Sequence, residues 1–275
     1  MSSAAAAGPG MGWAAVTPDP LAFWLPRRRT DCYVAWAVAA LGFLAFVNSL
    51  WNSFVLDDVS IIEENPAIRH LSNLRAIFAA GYWPTEGQDK LYRPLVILSY
   101  AVNYAVAGVA PFTYHLINVL LHAGNSVLVY FLFVALFNAR GLAAAATAAF
   151  ALHPIHTEAV ANVVGRAELL ANTLLLLIWG WYLKWDEAPA RPKTRWLAAS
   201  IAAFGLALFT KEHAVVLPGL LVLTDLHRTS DRGLSLGRTI WKKCRSAYVW
   251  YLPPIAGYLA ARFFMLGGLL SSQLS

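Results

Sequence analysis

Asn52-Ser53-Phe54-Val55-Leu56-Asp57-Asp58-Val59 closes the first long apolar run of the chain and sets two adjacent carboxylates where that run ends. The run itself, 33–50, has about the length that a membrane-crossing helix needs. Carboxylates beside hydrocarbon are costly unless a cation, a base role or a partner uses them. The stretch therefore reads as the catalytic end of a membrane enzyme, against the blander alternative of a solvated helix end.

The composition around it agrees. The 275 residues are 59% hydrophobic and 13% charged, with a mean hydropathy of +0.54. So few charges cannot cover a soluble globule of this size, and an all-α polytopic membrane protein is expected. A net charge of +6 would suggest nucleic acid in a soluble chain. Here Lys and Arg are read by their position relative to the apolar runs, and nucleic acid is not implied. Cys32 and Cys244 fall in segments assigned to the cytoplasmic side and are expected as reduced thiols. Residues 1–24 are rich in Ala, Gly and Pro without periodicity, which predicts a disordered cytoplasmic tail over 1–30. Arg27-Arg28-Arg29 then abuts the first run, which reads as an uncleaved signal anchor.

Further apolar runs follow at 94–108, 114–137, 141–152, 169–183, 196–209, 214–226 and 248–266. If all eight runs crossed, the basic loops 184–195 and 228–245 would lie opposite Arg27 to Arg29, against the usual charge asymmetry. One run must fail to cross. Two are short, 94–108 at about 22 Å and 141–152 at about 18 Å, against a hydrocarbon core of about 30 Å. The first is taken as a surface-lying helix, because Ser99 and Asn103 share a face at i and i+4 while Arg140 favours the cytoplasm. About seven spans remain, with the N-terminus inside and most of the 21 Lys and Arg cytoplasmic. The first external loop, 52–93, carries Ile68, Leu71, Leu74, Ile77 and Phe78 at helical spacing, which predicts a short amphipathic helix. Tyr82, Trp83 and Tyr92 suit the headgroup level.

Five polar groups converge on the external face of this map. They are Asp57-Asp58; Tyr92-Arg93; His115 with Asn118, and His122 beyond; His153, His156 and Glu158 with Arg166 and Glu168; and Lys211-Glu212-His213. Singly, each has a structural explanation; five on one leaflet, with both signs of charge, call for a chemical one. Transfer of a sugar from a lipid phosphate needs a base for the acceptor hydroxyl and cations for the departing phosphate, at the depth where the lipid is anchored. Asp57 or Asp58 suits the base, and Arg93, Arg166 and Lys211 suit the phosphate. Tyr92, His115, Asn118, His153, His156, Glu158, Glu168 and Glu212 form the supporting polar set. A divalent metal is the competing idea for the His, Glu and Asp side chains, but His153-Pro154-Ile155-His156 does not have the spacing of a closed metal site, and no metal ligand set is assigned.

Phe54-Val55-Leu56-Asp57-Asp58, Tyr92-Arg93-Pro94-Leu95, His115 with Asn118, His153-Pro154-Ile155-His156-Thr157-Glu158-Ala159-Val160, Gly165-Arg166-Ala167-Glu168-Leu169-Leu170 and Lys211-Glu212 together resemble, in order, the signature of the TMTC family. These are transmembrane and tetratricopeptide-repeat proteins with bacterial relatives, and the resemblance runs from about Val47 to the end. It implies a GT-C-like membrane glycosyltransferase over 31–275. Such an enzyme uses a polyprenyl-phosphate sugar, dolichyl-phosphate mannose in the eukaryotic members, to O-glycosylate protein Ser or Thr from the lumenal side. The first acid of the pair is catalytic in such enzymes, which makes Asp57 the general base and Asp58 its neighbour orienting the acceptor. The resemblance also implies juxtamembrane helices in the first loop and a seven-span module. The sequence departs from the family in one respect: no repeats follow Tyr258, Arg262 and Leu266, so the C-terminal part of the family architecture is expected to be missing.

The leading expectation is thus a multi-pass enzyme transferring a mannose-like sugar with inversion, since one displacement needs one base and no protein nucleophile. Its partners are the bilayer, the lipid-linked donor and a protein acceptor, with the site on the periplasmic or lumenal side. The Ala-rich composition leans toward a bacterial inner membrane over the endoplasmic reticulum. The alternatives are a non-catalytic polyprenyl-phosphate-handling protein and an assembly subunit. Transporters place ionisable groups at the midplane between repeated halves, and no internal repeat is present.

Overall fold

The computed structural model describes Trp24, Pro26 and residues 28–84, 91–188, 193–231 and 235–266, and every regular element among them is helical. The chain opens with α1 (Arg29–Phe46), where the Arg28 amide donates to the Asp31 carboxylate at 3.1 Å, and continues through a 3₁₀ turn to Trp51. The first loop winds through a π-helical turn, Val59–Glu63, and two 3₁₀ turns into α2 (Leu74–Ala79). α3 (Pro94–Ala107) starts on a proline, whose missing N–H costs nothing at a first helical position. It stops at Gly108, whose φ of 58° suits a residue without Cβ. α4 (Pro111–Phe137) follows, ended by Asn138 in the left-handed conformation, and then α5 (Arg140–Leu152) and α6 (Thr157–Ala161). The second half comprises α7 (Arg166–Glu187), α8 (Lys193–Thr210), α9 (Leu217–Asp231), α10 (Leu236–Ser246) and α11 (Leu252–Leu266).

α4 is the central post, packed against α1, α5 and α7, and α7 forms a close hairpin with α8, which α11 covers. Two sets of contacts fix the ends. At one, Asn118 of α4 donates to the carbonyls of Asn162 and Val163 just before α7. At the other, Asp31 is buried and accepts from Arg140 Nε at 2.9 Å and from the Tyr130 hydroxyl at 3.2 Å, which ties α1, α4 and α5 together.

Among the described residues three helices are long and apolar enough to cross a bilayer: Arg29–Trp51, Pro111–Phe137 and Val163–Glu187. The protein is therefore a membrane protein, helical in every regular element among the described residues. The remaining runs fold as shorter or less apolar helices, so length and composition do not by themselves yield seven spans.

The reason given for reading α3 as surface-lying needs correction: its polar face is not wet, since Asn103 is buried and receives Arg166 while donating to Thr113 Oγ1 at 3.0 Å. Its polar residue marks an inward ion contact, and α3 packs against α4, α7 and α8. The tail expected over 1–30 lies mostly outside the described residues; of it, Trp24 is buried with its ring against Gly180 of α7. The first loop does hold helix, short and broken, with Ile68 and Ile77 buried and Leu71, Leu74 and Phe78 left partly exposed.

Candidate functional site

Phe54 anchors the loop after α1 by an edge contact with Tyr114 of α4, ring centres 5.4 Å apart. Two residues on, Leu56 takes a φ of 49°, a left-handed backbone state that costs a non-glycine residue about 1–2 kcal/mol. Past this kink the acidic pair divides. Asp57 is exposed and lines a cavity of about 470 Å³, within the range of small-molecule sites. Asp58 is fully buried, accepting the Val164 amide at 3.0 Å and the Val55 amide at 3.4 Å. Burial pushes its carboxyl above the usual range, opposed by those backbone N–H groups. Asp58 therefore clamps the loop to the turn at Val163–Gly165 and does not line the cavity, where the sequence reading expects it to orient the acceptor.

The turn that Asp58 holds forms the cavity floor. Gly165 is required there, because a Cβ would stand 2.3 Å from the Ala159 carbonyl oxygen. The next residue, Arg166, is completely buried. Its Nε donates to Asn118 Oδ1 and its Nη2 to Asn103 Oδ1 and the Tyr114 carbonyl, each at 3.0 Å. The guanidinium also lies over the Tyr100 ring at 4.7 Å. Assigned from the sequence to the donor phosphate, Arg166 instead joins α3, α4 and α7 and does not line the cavity. His115 and Asn118 are buried beside it. Tyr92 also turns inward, donating to the Phe78 carbonyl at 2.8 Å and packing on Phe209 and Tyr258.

The other two cations do reach the cavity. Arg93, at the start of α3, makes a two-pronged ion pair with Glu212, Nε to Oε2 at 3.1 Å and Nη2 to Oε1 at 2.7 Å. Burial raises the Glu212 carboxyl, but the hydrogen bonds and charge of Arg93 outweigh it and hold the group below the usual range. Lys211 pairs with Glu168, whose second oxygen lies 3.6 Å from His213 Nδ1. Burial keeps the His213 pKa below its ordinary value.

Asp57, Arg93, His156, Glu158, Glu168 and Lys211 thus share one cavity, from residues spread over more than half of the chain. Glu212 stands behind Arg93, and His153 caps the Ile155 amide at 3.2 Å without lining the wall. His156 packs on Phe150 and His122, and burial depresses its pKa. Among the described residues no three His, Cys, Asp or Glu side chains stand close enough to hold a metal ion. The sequence reading missed Asn162 and Asn172 as wall residues, and Trp83 as more than a headgroup aromatic. Asn172 was traceable, lying one helical turn after Glu168 on the same face of α7. Chemically the cavity offers two carboxylates, Asp57 and Glu158, that meet no cation among the described residues, two cations balanced by carboxylates, and an aromatic wall.

Comparison with known proteins places the chain among relatives. The chain is 36% identical over 225 residues to protein O-mannosyl-transferase TMTC1 of Mus musculus, covering 75% of this chain and 24% of that protein. It is 36% identical over 185 residues to protein O-mannosyl-transferase TMTC3 of Homo sapiens, covering 65% and 20%. It is 33% identical over 216 residues to protein O-mannosyl-transferase TMTC4 of Homo sapiens, covering 70% and 29%. The chain thus spans about a quarter of the length of these relatives. No family model and no solved structure matches it.

Proposed function

The chain belongs to the TMTC family, and from that premise we propose that it is the donor-binding and catalytic module of a membrane protein O-mannosyltransferase. The donor in this reading is a polyprenyl-phosphate mannose and the acceptor a protein Ser or Thr hydroxyl. The observation that carries it is the meeting of Asp57, Arg93 and Lys211 on one cavity whose floor, the turn at Val163–Gly165, is held from behind by Asp58.

In the proposed reaction Asp57 takes the proton of the acceptor hydroxyl as its oxygen attacks the anomeric carbon, and the bond to the lipid phosphate breaks. The leaving phosphate gains negative charge, which Arg93 and Lys211 stabilise more strongly in the transition state than in the ground state. Both cations are already paired, so the phosphate competes with Glu212 and Glu168 for their N–H groups. A single displacement inverts the anomeric centre. The GT-C-like seven-span architecture and the position of the cavity on the periplasmic or lumenal side belong to the same proposal. The grouping of Arg140, Lys193 and Arg228 at the opposite end of the bundle supports that orientation.

Asp57→Asn keeps the shape and removes the base. Transfer of radiolabelled mannose from a polyprenyl-phosphate donor to a Ser/Thr peptide should fall by about 10²-fold or more, while donor binding persists. Undiminished transfer by this variant removes Asp57 from the chemistry.

A further inference from the structure

A second cavity, also of about 470 Å³, opens at the far end of α7, between Trp185 and Asp186, the C-terminal half of α9, and α10. Glu168 in the first cavity and Asp186 in the second are 18 residues apart on one helix, about 27 Å along its axis. The second cavity therefore lies near the opposite surface of a bilayer core of about 30 Å.

Its charge is lopsided. Lys193, Arg228, Arg238, Lys242 and Lys243 line it against two carboxylates, Asp186 and Asp225. Both carboxylates are already engaged. Asp225 is buried, taking Lys243 Nζ at 2.5 Å and the hydroxyls of Tyr182 and Tyr248. Asp186 takes Lys243 at 2.8 Å and Arg228 at 3.5 Å. Among the described residues Arg238 and Lys242 meet no carboxylate, and both are exposed.

α10 supplies those two cations from one face and a hydrophobic surface from the other. At 100° per residue, Leu236, Ile240, Trp241 and Cys244 fall on one arc, and Arg238, Lys242 and Lys243 on the opposite arc. No residue of the helix is buried, and Trp241 is 68% exposed. A helix with a free Trp-bearing apolar face and a cationic face is built to lie in a membrane interface.

We propose that this cavity binds the headgroup phosphate of an anionic phospholipid in the leaflet opposite the candidate active site. Arg238 and Lys242 contact the phosphate, and Leu236, Ile240 and Trp241 enter the acyl boundary beside it. The apolar arc is what selects a lipid over a free anion, because a soluble phosphate gains nothing from it.

Native mass spectrometry of the full chain in detergent tests this, with phosphatidylglycerol and phosphatidylcholine as competing probes. The chain should retain phosphatidylglycerol in preference, and millimolar inorganic phosphate should not displace it. Arg238→Gln with Lys242→Gln should weaken retention roughly thirty-fold, as expected for two interfacial charges, with an unchanged thermal midpoint. Trp241→Ser, which leaves every charge in place, should weaken it too. Equal retention of phosphatidylcholine, full retention by the double variant, or displacement by inorganic phosphate would each overturn the proposal.

Discussion

Arg166 and Lys211 carry the same formal charge into opposite roles. Arg166 donates to Asn118, Asn103 and the Tyr114 carbonyl in a fully buried position, whereas Lys211 reaches the cavity with Glu168 as its partner. Removing a buried donor strands its acceptors, each at about 1–3 kcal/mol. Arg166→Met should therefore cost at least about 2–4 kcal/mol of stability, seen as a lower thermal midpoint, and any loss of donor affinity should follow from unfolding. Lys211→Met should leave the midpoint nearly unchanged. Its proposed donor should bind at least tenfold more weakly, measured by titration with polyprenyl-phosphate mannose. The residue types of the site were legible in the sequence, since Asp57, Arg93, Glu158 and Lys211 stand out as charges beside apolar runs. The split between cavity-lining and buried charge was not. It depends on Asn103, Tyr100 and Tyr114 closing over Arg166 from distant helices, which no local pattern encodes.

Turns decide the shape of the cavity more than the long helices do. The floor at Val163–Gly165 is held by Asp58, by the Tyr100 hydroxyl on the Val163 carbonyl, and by Asn118. Gly165 packs so closely on Ala159 that any Cβ forces backbone to move. Gly165→Ala should destabilise the protein by about 1–3 kcal/mol and reduce transfer further than the stability loss explains, checked by thermal unfolding alongside the transfer assay. The helices themselves were readable from apolar runs and their proline and glycine ends, as at Pro94 and Gly108. The placement of α3 was not, because Ser99 and Asn103 at i and i+4 look alike whether the face meets water or a buried guanidinium. The π-helical turn after Asp58 likewise left no periodic signal.

Across the whole molecule, chemistry separates along α7. One end carries the acidic and mixed-charge cavity at Glu168 and Asn172, and the other the cationic cavity at Asp186. The clustering of Lys and Arg between apolar runs announced this polarity, because charge asymmetry is written locally in the sequence. The number of crossings was less readable, since α5, α9 and α11 have 13, 15 and 15 residues and rely on neighbours for their burial. The central claim is that the Asp57 cavity receives the lipid-linked sugar, and Ile155, which lines it and is 72% exposed, gives direct access. In a background with Cys32→Ala and Cys244→Ser, Ile155→Cys can be labelled by a maleimide in the absence and presence of polyprenyl-phosphate mannose. The account predicts that saturating donor slows labelling at least tenfold, and labelling at the same rate with and without donor would contradict it.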